Sequence, residues 1–152
     1  MIKVDVLVQE KRFKKYIATP ERYIKKKINK IKYLIPLLRG KNIIFSVLIS
    51  GNKDIKKLNK KFRGKNKATD VLSFPFYKRE ELKKIIKLNK NIYLGDIILN
   101  HYKIKNSSKE NFKKDFDRLW VHGLLHLIGY RHSKNKDFNK MNKLETNILT
   151  KF

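Results

Sequence analysis

Residues 111–132 read NFKKDFDRLWVHGLLHLIGYRH, and the spacing of their apolar side chains decides the architecture. Phe112, Phe116, Leu119, Trp120, Leu124 and Leu127 recur at helical intervals and form one apolar face. Val121, Leu125 and Ile128 widen that face until the second half of the helix is apolar nearly all round. Such a helix is buried, so the other elements must pack around it. Gly129 stands where a helix end needs a left-handed residue, and the chain can reverse there.

Working outward, residues 136–149 carry a terminal helix and 92–99 (IYLGDIIL) a strand, in which Gly95 marks a bulge or a close backbone approach. A short helix fits near 101–107, and residues 77–91 are Lys-rich with a weak helical pattern at Leu82, Ile85 and Ile86, as in a variable insertion. Val71–Phe74 is a short strand that Pro75 confines to an edge or an end. Further upstream, 53–62 reads as a basic helix with Ile55, Leu58 and Phe62 inward, and 42–50 (NIIFSVLIS) as a buried strand. A helix starting at Pro20 is predicted to run to about Leu38, with Pro36 kinking or ending it. Residues 2–8 (IKVDVLV) alternate like a half-buried strand. The order β-α-β-α-β-β-α-α predicts an α+β fold: one domain over residues 1–152, with a small mixed four-stranded sheet packed with helices.

Composition narrows the chemistry. The formal net charge is +26, with 39 Lys and Arg against 13 Asp and Glu. A polyanion partner is one reading, because releasing counterions from phosphates drives sequence-independent binding. Drift of base composition is the other: only seven of the basic residues are Arg, and Lys, Ile and Asn share A/T-rich codons. Charge thus favours RNA or DNA over a protein or sugar but locates no site. There is no Cys, so disulfides and thiolate metal sites are excluded and a metal would need His, Asp or Glu. No apolar run reaches the ~18 residues that cross a bilayer, and the N-terminus lacks the apolar core of a secretory signal. A cytoplasmic location without a membrane partner is the expectation.

His122 and His126 lie four residues apart on the buried stretch and point to the same side. After the turn at Gly129, Tyr130 and Arg131, His132 can swing back to join them. A catalytic zinc takes three protein ligands and leaves a fourth position open, which this H-x3-H-x5-H arrangement satisfies. The spacing matches the extended zincin pattern except at one position. A lone His on an apolar helix is ordinarily a core residue; three around a glycine hinge favour Zn2+, although nickel, copper or cobalt also suit three imidazoles. Zinc proteases place their general-base Glu directly after the first His, and here that residue is Gly123. No carboxylate lies within the motif, which disfavours proteolysis. His101 reads as a surface residue and Met141 as core.

His122-Gly123-Leu124-Leu125-His126-Leu127-Ile128-Gly129-Tyr130-Arg131-His132 resembles the HGxLHLxGYDH signature of the YbeY family of bacterial metallo-endoribonucleases. Three further blocks resemble it in order: Leu58-Asn59 through Phe62-Arg63-Gly64-Lys65 with Thr69-Asp70-Val71-Leu72-Ser73-Phe74-Pro75, then Leu94-Gly95-Asp96-Ile97, then Met141 with Glu145. The resemblance implies a zincin-like α+β fold and a zinc site at His122, His126 and His132. It also implies cleavage of single-stranded RNA at the 3′ end of 16S rRNA and in ribosome quality control, with ribosomal RNA and small-subunit assembly proteins as partners. Arg63 matches the family's arginine after the second helix and is the expected catalytic cation, its fork able to grip two phosphate oxygens. Lys60, Lys61, Lys65, Lys67 and Arg131 are the expected RNA contacts. Asp70 and Ser73 are expected to organise the turn and the strand entrance. Arg131 departs from the family, which has Asp before the third His. Two other readings stay open: a non-catalytic, zinc-containing ribosome-assembly factor, and a zinc hydrolase of amides or peptides.

Overall fold

The structure, a computed structural model, describes residues 1–152. Strands β1 (Ile2–Val8), β2 (Asn42–Ser50), β3 (Val71–Pro75) and β4 (Asn91–Asn100) form one sheet in the order β1-β2-β4-β3. β1 and β4 both run parallel to β2, and β3 runs antiparallel to β4, so the sheet is mixed as expected. β3 is an edge strand, where Pro75, lacking an N–H, removes no ladder hydrogen bond from the sheet interior.

Gly95 has the positive φ of +128°, and a Cβ there would lie 2.1 Å from the Phe74 carbonyl oxygen. Only a glycine permits this approach of β4 to β3. The parallel register between β2 and β4 shifts beside it, between Ile44 and Ser46.

Three α-helices connect the strands, α1 (Pro20–Ile31), α2 (Asn52–Arg63) and α3 (Arg79–Leu88), and two follow them, α4 (Lys109–Leu127) and α5 (Asn135–Leu149). The first ends earlier than its apolar periodicity predicts. Past Ile31 the chain tightens into short 3-10 turns, and Ile35 is extended because the residue before a proline is pushed out of the helical region. The short helix expected near 101–107 is a single 3-10 turn, His101–Lys103. Residues 77–91 contain α3, whose Leu82 is buried. A 3-10 turn at Lys11–Lys15, absent from the sequence reading, buries Phe13.

α4 occupies the centre. It packs against β3, β4 and α5, and Leu119 through Val121, Leu124, Leu125 and Leu127 are all buried. Gly123 lies where α4 presses on the sheet: a Cβ would sit 2.7 Å from Ile97 Cγ2. A smaller apolar cluster of Ile55, Leu72 and Ile98 lies apart from the main core and seats α2. His101 departs from expectation, being buried rather than on the surface. Phe13, Tyr16, Tyr102 and Phe112 surround its ring, and loss of water there lowers its pKa.

Candidate metal centre and its cleft

The last two turns of α4 present His122 and His126 on one side, and the chain then leaves the helix through Gly129, whose φ is +97°. That reversal returns His132 to the other two. Their Nε2 atoms form a triangle with sides of 3.1 Å (His122–His126), 2.9 Å (His126–His132) and 3.1 Å (His122–His132). The opposite ring nitrogens decide what this triangle is. His126 Nδ1 is 2.9 Å from the Tyr130 carbonyl oxygen, which can only accept, so Nδ1 carries the proton. His122 Nδ1 donates in the same way to the Glu145 carboxylate at 2.8 Å. In their neutral forms both imidazoles therefore turn a lone pair, not a hydrogen, toward the shared centre. Burial pushes the His126 pKa down to about 4, assisted by the other two imidazoles and the Arg63 charge and opposed by the Tyr130 carbonyl.

Converging lone pairs repel unless a cation lies between them. Nitrogens held about 2.0–2.1 Å from one tetrahedral zinc are about 3.3–3.4 Å apart, so the triangle fits such an ion after opening by a few tenths of an ångström. The three histidines can hold a metal ion. Two of them are already oriented by partners on the far side of the ring, the usual support for a ligating histidine.

The triangle opens into a cleft of 630 Å³. Its charged lining is Arg63, Lys78, Arg79 and Arg131 against the single carboxylate of Glu81, which is occupied in accepting the Lys78 backbone N–H at 2.9 Å. Arg63 ends α2, and Gly64 terminates that helix in the left-handed region. Buried Asn59 donates its side-chain N–H to the Lys67 carbonyl at 2.8 Å and so ties the 64–67 loop back to α2. Asp70 organises the entrance to β3 by accepting the Val71 N–H at 2.8 Å, whereas Ser73 lines the cleft. Lys60, Lys61, Lys65 and Lys67 are exposed but do not line it.

Comparison with known proteins gives this arrangement a family. The model of endoribonuclease YbeY matches residues 7–152. The chain belongs to the endoribonuclease YbeY family. The family's protein from Pelagibacter ubique is 42% identical over 159 aligned positions, covering 100% of this chain and 96% of its own. That of Thermodesulfovibrio yellowstonii is 36% identical, covering 91% and 83%. The solution structure of a Thermotoga maritima protein superposes with a TM-score of 0.59 at 25% identity, covering 99% of this chain and 88% of the other.

Two features of the site escaped the sequence reading. Arg79 lies over the reversal, its Cγ only 3.0 Å from where a Cβ on Gly129 would be, and nothing in the Lys-rich segment marks it out. Glu145 was visible as part of a family block but without a role. A signal did exist: it lies between Met141 and Ile148 on the buried face of α5, where a carboxylate needs a partner.

Proposed function

We propose that this chain is a metal-dependent endoribonuclease that cuts single-stranded RNA, with zinc held by His122, His126 and His132. Its setting is the cytoplasm, in 3′-end maturation of 16S rRNA and in ribosome quality control, where small-subunit assembly proteins are its partners. No helix is long and apolar enough to cross a membrane. The observation that carries the reading is the triangle of imidazole nitrogens opening into a cleft lined by four cations and one engaged carboxylate. Membership of a family named for endoribonuclease activity supports RNA as the anion.

Bound zinc supplies Lewis acidity, polarising a phosphoryl oxygen or acidifying water. The protein supplies the rest. Glu145 and the Tyr130 carbonyl hold two ligands in the tautomer that leaves Nε2 free. Arg63 holds the phosphoryl oxygens where negative charge builds as the new P–O bond forms and the bond to the leaving oxygen breaks. Lys60, Lys61, Lys65 and Lys67 draw in flanking phosphates from outside the cleft, and Arg131 does so at its rim. The attacking oxygen comes from water or from the RNA's own 2′-hydroxyl. The ends produced distinguish these routes, since attack by the 2′-hydroxyl leaves a 2′,3′-cyclic phosphate.

Proteolysis is disfavoured on steric grounds: the position that carries Glu in zinc proteases is Gly123, pressed against Ile97. The decisive experiment combines elemental analysis with cleavage of a structured RNA bearing single-stranded tails. One equivalent of zinc and chelator-sensitive cutting of the tails are expected. Tight RNA binding without cleavage would instead make the chain a zinc-containing assembly factor.

A further inference from the structure

The connector after β3 and the first residue of α3 place Phe76 and Arg79 in the wall of the metal cleft, with His126 and His132 among the other lining residues. Phe76 is 63% exposed, although a large apolar ring is ordinarily buried. It is held there by backbone rather than by core packing. Its N–H donates to the Leu94 carbonyl at 2.9 Å, next to the close approach that Gly95 permits. Tyr77 and Tyr93 lie 4.9 and 5.5 Å away at 84° and 73°, so neither ring is stacked on it. Arg79 is exposed, its stem lies over Gly129, and it makes no ion pair with a carboxylate.

We infer that Phe76 and Arg79 form a nucleotide subsite beside the metal centre: the Phe76 ring stacks an unpaired base and the Arg79 guanidinium holds its phosphate. Three features make RNA the fitting occupant rather than an apolar peptide. The cleft is strongly cationic, an exposed aromatic among cations is the usual platform for single-stranded nucleic acid, and a base in a duplex has no free face to offer. The cleft volume of 630 Å³ lies within the range of about 300–1,000 Å³ typical of small-ligand pockets, enough for one nucleotide but not a helix. The subsite would thus give the enzyme its preference for single strands. It rests on the proposed endoribonuclease activity and adds to it the residues that choose the substrate.

The test uses metal-loaded full-length protein, with binding to a 2′-O-methyl hexanucleotide read by anisotropy and initial cleavage rates measured on the unmodified RNA. Phe76→Leu keeps the apolar bulk but removes the aromatic face. It should weaken binding about tenfold and raise KM similarly while kcat stays within about twofold. Phe76→Trp should restore binding. A hexanucleotide made abasic at the stacked position should bind wild type and Phe76→Leu equally. Arg79→Ala should lower the slope of log affinity against log salt by about one. Unchanged affinity in Phe76→Leu with an actively cleaving wild type would overturn the subsite alone, as would an equal loss for the abasic RNA. A wild type that neither binds nor cuts RNA would remove the endoribonuclease reading, and the subsite with it.

Discussion

Helix α4 carries two polar centres, and they are built on opposite principles. Near its middle, buried Asp117 accepts from Tyr23 at 3.0 Å, from Trp120 Nε1 at 3.0 Å and from Lys27. At its end, His122 and His126 turn lone pairs toward each other and toward His132, whose tautomer no protein partner fixes. The cleft beside Asp117 is the larger, 820 Å³ against 630 Å³ at the histidines. Size would pick the wrong site. The Asp117 centre is completed by the protein's own donors and ties α1 and the chain end near Phe152 to α4. The histidine centre leaves two ring nitrogens without a protein donor of their own and can hold a metal ion, and that open valence is what marks a place for chemistry.

Removing a ligand should break the second centre without touching the first. His126→Ala should abolish stoichiometric metal and reduce RNA cleavage about a thousandfold or more, while the protein stays folded. One equivalent of zinc retained in that variant would remove His126 from the ligand set. Arg63→Ala should keep its metal yet lose about 100-fold or more in turnover, the usual cost of removing a group that stabilises developing charge. Normal turnover would leave Arg63 as a surface cation. Asp117→Ala should show the converse pattern. It leaves buried Trp120 and half-buried Lys27 and Tyr23 without their shared acceptor, which costs about 3–5 kcal/mol. The melting temperature should fall by about 6–20 °C for a chain of this size, with zinc stoichiometry unchanged at low temperature.

The two centres also respond to acid with opposite sign. The His126 imidazole stays neutral in the folded metal-free chain down to about pH 4, whereas an unfolded histidine gains its proton near 6.5. Between those values the unfolded chain binds more protons, so this contribution is full above about pH 6.5 and is lost as pH falls toward 4. Burial raises the Asp117 pKa against the pull of Lys27, Trp120 and Tyr23, so its contribution is full below the usual carboxylate range and declines as pH rises. Imidazole NMR of the metal-free protein should place the His126 titration well below that of a free histidine. A midpoint near 6.5 would mean that the ring is not desolvated as the fold implies.

What was legible in the sequence was what periodicity and local chemistry control. The strands at 2–8, 42–50 and 92–99, the buried end of α4 and the turn at Gly129 all follow from side-chain spacing and from the freedom of one glycine. The three histidines could be grouped because a helix and one reversal place them, with no long-range contact needed. The early end of α1 was not legible: Tyr23, Ile24, Ile28, Ile31, Leu34 and Ile35 keep helical spacing across the break, and only the backbone before Pro36 reveals it. His101 was misplaced because its aromatic surroundings come from Phe13 and Phe112, far apart in the chain. Glu145 and Arg79 needed tertiary structure for the same reason. The one reaches His122 across the α4–α5 packing, and the other packs directly over Gly129, fifty residues further along the chain.

Glu145 is where the two principles meet, since it is a protein-supplied partner placed behind an open site. Glu145→Gln preserves the shape and can still accept the His122 Nδ1 hydrogen through its amide oxygen. It removes the negative charge that makes that imidazole a better donor to a metal. Zinc affinity should fall about 10–100-fold, by competition with a chelating dye, with little change in thermal stability of the metal-free chain. Glu145→Ala should cost more on both readouts, because it also frees the ring to rotate. Equal zinc affinity in wild type and Glu145→Gln would reduce the carboxylate to a spacer between α4 and α5.

Arg131 carries the smallest expected effect and tests where the centre ends. It is exposed on the cleft rim, and the structure gives it no hydrogen bond to the three histidines or to their supporting groups. The signature that 122–132 resembles carries Asp at this position, and Arg131→Asp replaces one cation of the cleft with an anion. Zinc content should not change, because the ring nitrogens are oriented by Glu145 and Tyr130 rather than by this side chain. RNA affinity should fall a few-fold at low salt, and the difference should fade as salt rises and the Debye length shortens. A large loss of zinc in Arg131→Asp would mean that the turn from Gly129 to His132 depends on this side chain. A salt-independent gain in turnover would mean that an acid at this position takes part in proton transfer, and that this chain works without it.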